Sequence, residues 1–543
     1  MQGFALPQRG LVSQQDAATI ENAHVPRSTF HNRWTRKTAF DQGYLVPILC
    51  DPIWPGDHMQ YRIQAYLRMA TPLFPMFDTV RVDTHFFFVP NRLVWTNWVK
   101  MHGEQDTPGA SIAFTIPRVP IGVGVADAVG SIYDHFGLPV SGQMGTGGHQ
   151  INALPFRGYN LIYNQWFRDE NYCVQATQVN NDGPDTNTWY NLLKRAKSAD
   201  YFTTALPQPQ KFTAPNVPLL GTAPVIGIGK INQVFSGGAS ANVYETGGTG
   251  PVNYNPWTGP IDGTAASNQF LVAGTATTGG FPAIYANLAA SSGVSINQLR
   301  QAWMVQTLLE RDARGGTRYI EGVRSHFGVI NPDFRLQRPE YIGGGQSDLN
   351  ITPVAQTAPT AGVPLGALGG AATAAGSHAA SYAATEHGYI IGLISVKSEL
   401  SYQQGIERHW KYFSRYDWMY PELTQLGEQA VNSYEIYADG TAGDFDVFGY
   451  QERFQELRTH QSEVTGIMRS TAAGTLDPWH LAQRFASRPV LNQTFIEDTA
   501  PMSRILAAGA LANGQQFLAN ILYERTATRI LPTYGTPAIM GRF

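Results

Sequence analysis

The chain has 543 residues, a formal net charge of −3 and only 15% charged side chains, against roughly 25% in ordinary soluble domains. Its pI of about 6.5 excludes a wholly basic surface that wraps nucleic acid, and two cysteines, Cys50 and Cys173, are too few for a disulfide framework, which implies free thiols in a reducing compartment. With 12% aromatics, 55 glycines and 34 prolines the composition favours strands joined by long, turn-rich loops, and the apolar runs fall well short of a membrane helix.

The opening MQGFALPQRGLVSQQD lacks the basic start and unbroken apolar core of a secretory signal, so no export is expected. Next, RSTFHNRWTRK interleaves Arg27, Arg33, Arg36 and Lys37 with Phe30, His31 and Trp34. Cations among stackable rings suit single-stranded nucleic acid; a solvated arm pairing with a neighbour's carboxylates fits the same residues. From Met59 to Met69 the odd positions are apolar and the even ones are mostly Gln and Arg, which predicts a half-buried strand. A second strand runs through VDTHFFFVP. Val80, Val82, Thr84, Phe86 and Phe88 share one face, and Arg81, Asp83 and His85 begin the other, which turns apolar at Phe87 and Val89 before Pro90 ends the pairing. Something must cover that second face: a loop or the short helix suggested by NRLVWTNWVK, or a neighbouring subunit.

Further along, RGYNLIYNQWFRDENY reads as a helix, and NLLKRAKS (Lys194, Arg195, Lys197) as a solvated charge run. Residues 235–293 hold eleven glycines and two charged residues, Glu245 and Asp262, amid aromatics such as Tyr254 and Trp257, which suits an ordered, projecting loop better than a disordered linker. SINQLRQAWMVQTLLERDARGG predicts a helix capped by Ser295 and Gln298 and stopped at Gly315. The Ala, Gly, Thr and Pro run from Gly343 to Ala384 is expected to be an extended surface loop. Strand pattern returns in EHGYIIGLISVKSELSY, and Asp477–Pro478 reads as a helix N-cap and first-turn proline.

Catalytic and metal motifs fail on inspection. GTAPVIGIGKIN has Pro224 where a phosphate loop needs its first glycine and Ile231 after Lys230; QVNNDGPDTNTW begins on Gln178 and ends on Trp189 where a calcium loop needs acids. His85, His326, His387, His409 and His480 are scattered, and acidic pairs such as Asp444 with Asp446, or Glu386 beside His387, are expected by chance among 41 carboxylates. Neither enzyme activity, metal nor cofactor is expected.

Ordered blocks along nearly the whole chain carry a resemblance: FDQGYLVPILCDPIWPGD, ATPLFPMFDTVRVDTHFFFVPNRLVW, WFRDEN, LLERDARGGTRYIEGVRSHFGV, RLQRPEYIGGG, EHGYIIGLISV, LGEQAVNSYEIYA, FGYQERFQELR, LDPWHLAQRF and LPTYGTP. In these it resembles the major capsid proteins of the Microviridae, small single-stranded DNA bacteriophages, and most closely their gokushovirus branch. The resemblance implies a mainly β fold, an eight-stranded antiparallel viral jelly roll with large insertions and a few short helices. It divides the chain into a basic arm (1–40), a first part of the jelly roll with inserted helices (41–234), a protruding insertion at the threefold axes (235–293) and the remainder (294–543). It further implies a T=1 icosahedral shell of identical copies around circular single-stranded DNA, found in the virion and assembled in the bacterial cytoplasm. Expected partners are a small basic DNA-binding viral protein, a scaffolding protein and a host surface receptor, with no membrane insertion. Arg27, His31, Arg33, Arg36 and Lys37 are the candidates to face DNA, and Asn253, Tyr254 and Trp257 those to meet the receptor. Composition alone also allows a carbohydrate-binding or carbohydrate-active jelly roll.

Overall fold

The computed structural model describes residues 26–122, 128–140, 143, 148–215, 296–357, 366–507 and 516–534, together with the backbone pairing of four two-residue strands between 225 and 286. The chain divides into two compact units, residues 1–209 with 313–543, and residues 210–312.

In the first unit eight strands form one antiparallel sheet. They are β1 (Ser28–Phe40), β2 (Val46–Ile53), β3 (His58–Met69), β4 (Val80–Pro90), β5 (Glu340–Asp348), β6 (Leu368–Ala383), β7 (Gly388–Ser398) and β8 (Phe517–Arg529). Their order is β1-β8-β3-β6-β5-β4-β7-β2, with the short strand Asn350–Ala355 added beside β6. The sheet curls into a nearly closed barrel with the expected jelly roll character. Two half-sheets, β1-β8-β3-β6 and β5-β4-β7-β2, enclose a core that includes Phe40, Tyr61, Ile63, Leu67, Phe86, Phe88, Ile390, Ile394 and Ile521.

The run from Gly343 to Ala384 departs from expectation. Its described residues supply much of β5, the short strand and all of β6, which pairs with β3 from Thr373–Arg68 to Ala383–His58. Alanine, glycine and serine carry little strand signal of their own, but a strand between two partners is held by its backbone ladder and needs only side chains that fit. Where the half-sheets join, β5 and β6 share two residue pairs, Gly343–Ala380 and Gly344–Ala379. Both glycines have positive φ, and a Cβ on Gly344 would lie 2.2 Å from the Thr84 carbonyl oxygen, so this corner requires glycine.

The second face of β4 is covered from within the chain. Phe87 and Val89, with Ile391 and Leu393 of β7, pack into a second core with Val94, Trp95, Tyr133, Phe156, Tyr159 and Tyr190, all from the segment between β4 and residue 193. Helix α1 (Leu154–Ile162) lies on this face, and Gly158 allows the approach: a Cβ there would be 3.1 Å from Ile391 Cδ1. The predicted helix thus starts earlier, and it ends in a wider turn at Tyr163–Phe167, whose Trp166 and Phe167 rings lie 5.4 and 5.9 Å from that of Phe87. Burying each of the four apolar side chains stabilises by about 1.5–3 kcal/mol. A buried ion pair fixes the cover. Arg157 donates from Nε and Nη2 to Asp185 at 2.8 and 2.5 Å and from Nη1 to the carbonyls of Val94 and Asn181, while Tyr190 also donates to Asp185.

A third cluster joins Tyr201, Phe202, Tyr402, Val431, Ile436, Phe448 and Phe495 outside the barrel. Asp477–Trp479 is a single tight turn, with Asp477 inside it rather than capping a longer helix. The expected helix forms as α2 (Ile296–Arg314), all but its last two residues in the second unit; Ser295 lies outside the described residues. Val225–Ile226 pairs with Tyr285–Ala286, and Ile228–Gly229 with Leu271–Val272.

Candidate nucleic-acid interface

Strand alternation sorts the basic cluster. On β1 the odd positions from Thr29 to Lys37, His31 and Arg33 among them, are exposed, while Phe30, Trp34 and Arg36 are half-buried on the opposite face. The cations and rings that interleave in sequence therefore separate in space. Trp34 stacks on Tyr523, centroids 5.0 Å apart, with the Arg525 guanidinium 5.3 Å from its ring centroid. Arg27 precedes the strand, exposed, with its guanidinium beside Gly56.

Arg36 is committed elsewhere. Its Nη1 donates to the Ile48 carbonyl at 2.7 Å and its Nη2 to the His135 carbonyl, and burial pulls its pKa below the ordinary arginine value. No ladder joins β1 to β2 among the described residues, so these bonds help to close the barrel. The same seam is crossed by Tyr523, donating to the Ile48 carbonyl at 2.9 Å, and by Tyr61 and Arg525, which donate to Asp51 at 2.7 and 2.8 Å.

The remaining candidates belong to a wider surface. β8 lies beside β1, with Thr526 opposite His31, Glu524 opposite Arg33 and Asn520 opposite Lys37; β3 lies beside β8 and turns out Gln60, Arg62, Gln64, Tyr66 and Arg68. β6 follows with Ala375, Ser377, Ala379 and Ser381. Over the outward positions of these four strands stand Arg33, Lys37, Arg62 and Arg68 against one carboxylate, Glu524. The Arg33–Glu524 contact is 3.8 Å and exposed, worth little in water. Because β6 offers only small side chains, two shallow grooves follow β3. One of about 600 Å³ is lined by Gln60, Arg62, Ala379, Ser381, Glu524 and Thr526, and one of about 420 Å³ by Gln64, Tyr66, Ala375, Ser377, Asn520 and Leu522. Tyr66, 52% exposed, and the exposed His31 imidazole are rings on this surface that could stack on a base.

Arg62, Tyr66 and Arg68 escape the sequence reading as site residues. Their outward face is legible in the alternation of Met59–Met69, but their adjacency to the β1 cations depends on β8, almost five hundred residues away from β1 in the chain. Asn253, Tyr254 and Trp257 lie outside the described residues. Among the described residues no group of three or more His, Cys, Asp or Glu is placed to hold a metal ion, and no helix is long and apolar enough to cross a membrane.

A jelly roll with one half-sheet basic and uncovered by the described residues leaves the choice of function to relatives. A family model described as capsid protein (F protein) matches residues 18–539. The chain belongs to this capsid family. It is similar to capsid protein VP1 of Bdellovibrio phage phiMH2K, 40% identical over 98% of this chain and 99% of that one. It is also similar to capsid protein VP1 of Chlamydia phage 1, 37% identical over 96% and 97%, and of Spiroplasma virus 4, 32% identical over 96% and 97%. These are Microviridae of the gokushovirus type, as the sequence blocks imply. The protein is therefore a structural major capsid protein, a component of the virion that associates with its own copies into a shell. The family favours this role over the carbohydrate-active jelly roll.

Proposed function

We propose that copies of this capsid protein close into a T=1 icosahedral shell around circular single-stranded DNA, with the outer face of β1-β8-β3-β6 turned toward the genome. The observation that carries this reading is the charge of that face, four fixed cations against one carboxylate on a surface no other part of the described chain covers. Arg33 and Lys37, with His31, are its first strand, and Arg27 extends it at one end; Arg62 and Arg68 add to it, and Arg36 serves the barrel seam. A net charge of −3 leaves most phosphate neutralisation to the small basic partner protein and cations. The 235–293 insertion, with Asn253, Tyr254 and Trp257, is assigned to the host receptor, and a scaffolding protein to assembly in the bacterial cytoplasm.

The test is binding of a single-stranded oligonucleotide to the full-length protein across a salt series, read by fluorescence anisotropy. For Lys37→Ala, Arg62→Ala and Arg68→Ala the slope of log K against log salt is expected to fall by about 0.7 for each phosphate contact removed. Unchanged slopes in all three, with shells that still package DNA, would remove the genome-facing assignment.

A further inference from the structure

We infer that the segment from Arg408 to Leu426 is a contact surface for a second copy of this chain, an inference that rests on the shell-forming role. The segment leaves the third cluster and runs over the surface. Of its fourteen residues from Phe413 to Leu426, twelve are exposed, although the stretch is rich in rings and other apolar side chains. Trp410, Phe413 and Tyr416 are 69%, 83% and 70% exposed, and Trp418, Met419 and Leu426 stand in water beside them.

The backbone beneath these rings is pinned. Ser414 and Asp417 cap a one-turn helix reciprocally, and the Ser414 and Phe413 amides donate to Asp417 Oδ2 at 2.7 and 3.1 Å. Arg453 donates to the Tyr416 carbonyl at 2.8 Å, and Tyr412 to Glu456 at 2.8 Å. A loose loop would fold its rings against the body of the protein. A fixed backbone presenting them outward costs little further ordering on association, which is the usual economy of interface anchors. Apolar patches of this kind are rare on proteins that work as monomers.

Charge identifies the occupant. Beside the segment lie a groove of about 410 Å³ lined by Glu407, Glu435 and Glu456 with Arg408 and Arg458, and one of about 230 Å³ lined by Glu407, Glu435 and Glu463 with Arg469 and Trp410, so carboxylates are in excess in both. Arg408 already answers Glu435 at 3.3 Å, but Glu407 faces Glu463 and the imidazoles of His409 and His460. The segment itself presents Arg415, exposed, with its guanidinium 5.3 Å from the Tyr420 ring centroid. From Arg408 to Leu426 the segment carries Arg408, Lys411 and Arg415 against Asp417 and Glu422, a small excess of cations beside grooves with a small excess of carboxylates, which is complementary to another copy of itself. Interleaved rings and cations would also suit a nucleic acid, but phosphates here would meet the carboxylates.

The experiment places a photo-crosslinker in the assembled particle by the substitution Trp418→p-benzoylphenylalanine. Illumination is expected to give covalent dimers of this chain on a denaturing gel; a crosslink to DNA or to another virion protein, or none, would overturn the assignment. In parallel, Phe413→Ser with Trp418→Ser is expected to leave the melting temperature of the unassembled protein unchanged while the yield of closed shells, counted by electron microscopy, falls at least tenfold. Shells at full yield from that variant sink the contact alone. If the unsubstituted chain never forms shells, the shell reading fails and this contact with it.

Discussion

The two half-sheets of the barrel share one core and differ in what lies behind them. The outer side of β4 and β7 is Phe87, Val89, Ile391 and Leu393, sealed by the segment that follows β4; the outer side of β3 and β6 is Gln60, Arg62, Gln64, Tyr66 and Arg68 beside alanines and serines, and nothing in the described chain covers it. A strand's second face thus reports its surroundings: apolar residues there mean that the face is covered, here by the same molecule, and small, polar and basic ones leave a surface for something else. The lone run of three phenylalanines is where a strand is buried on both sides.

The sharpest way to break this comparison is to remove the cover's internal anchor. Asp185→Ala strips the acceptor from three donors and leaves Arg157 buried and unpaired, with an expected loss of about 4–5 kcal/mol in denaturant unfolding. Next in size, Phe87→Ala is expected to cost about 3–4 kcal/mol, through lost burial and the cavity left against Trp166 and Phe167. Tyr66→Ala, a ring of similar size on the bare face, should stay within about 0.5 kcal/mol. Equal losses at Phe87 and Tyr66 would mean that both faces are covered.

Between these extremes lies a pH effect on the sealed side. Burial, helped by the nearby Arg195 and Lys397 cations, lowers the His85 pKa from 6.5 to about 4, and its Nε2 has no hydrogen-bond partner. The folded state therefore binds fewer protons than the unfolded one between these values, so this residue's contribution is complete above about pH 6.5 and is lost as pH falls toward 4, a span on the order of 3 kcal/mol. Asp498 works in the opposite sense. Burial raises it from 3.8 to about 6, so its contribution is present at low pH and is lost as pH rises through that range. His85→Phe should leave the Asp498 limb exposed, with stability falling as pH rises from about 4 to about 6; a profile identical to that of the unsubstituted protein would refute the assignment.

Strict alternation makes β3 and β4 legible from sequence, and it separates Phe86 and Phe88 from Phe87 and Val89, but it does not say whether the cover is a loop or a neighbour. That answer depends on contacts such as Gly158 on Ile391, joined across more than two hundred residues. β6 is illegible for a different reason: alanine, glycine and serine give no hydrophobic period, and its place is set by the backbones of β3 and β5. For the site, four basic positions of the N-terminal cluster are visible as charges, yet parity alone turns Arg36 inward, and the Arg62, Tyr66 and Arg68 positions join them only because β8 returns from the far end of the chain to lie between β1 and β3.

The seam between β1 and β2 has a consequence for mutational tolerance. Elsewhere around the barrel neighbouring strands are tied by main-chain hydrogen bonds, which any residue except proline can supply. Along the seam the ties include the side chains of Arg36, Tyr61, Tyr523 and Arg525, reaching the Ile48 carbonyl and Asp51, and that of Arg529, reaching the Pro52 carbonyl. A single base change can therefore remove a whole tie, which makes the seam less tolerant of substitution than the laddered strands and a natural place for temperature-sensitive alleles to arise.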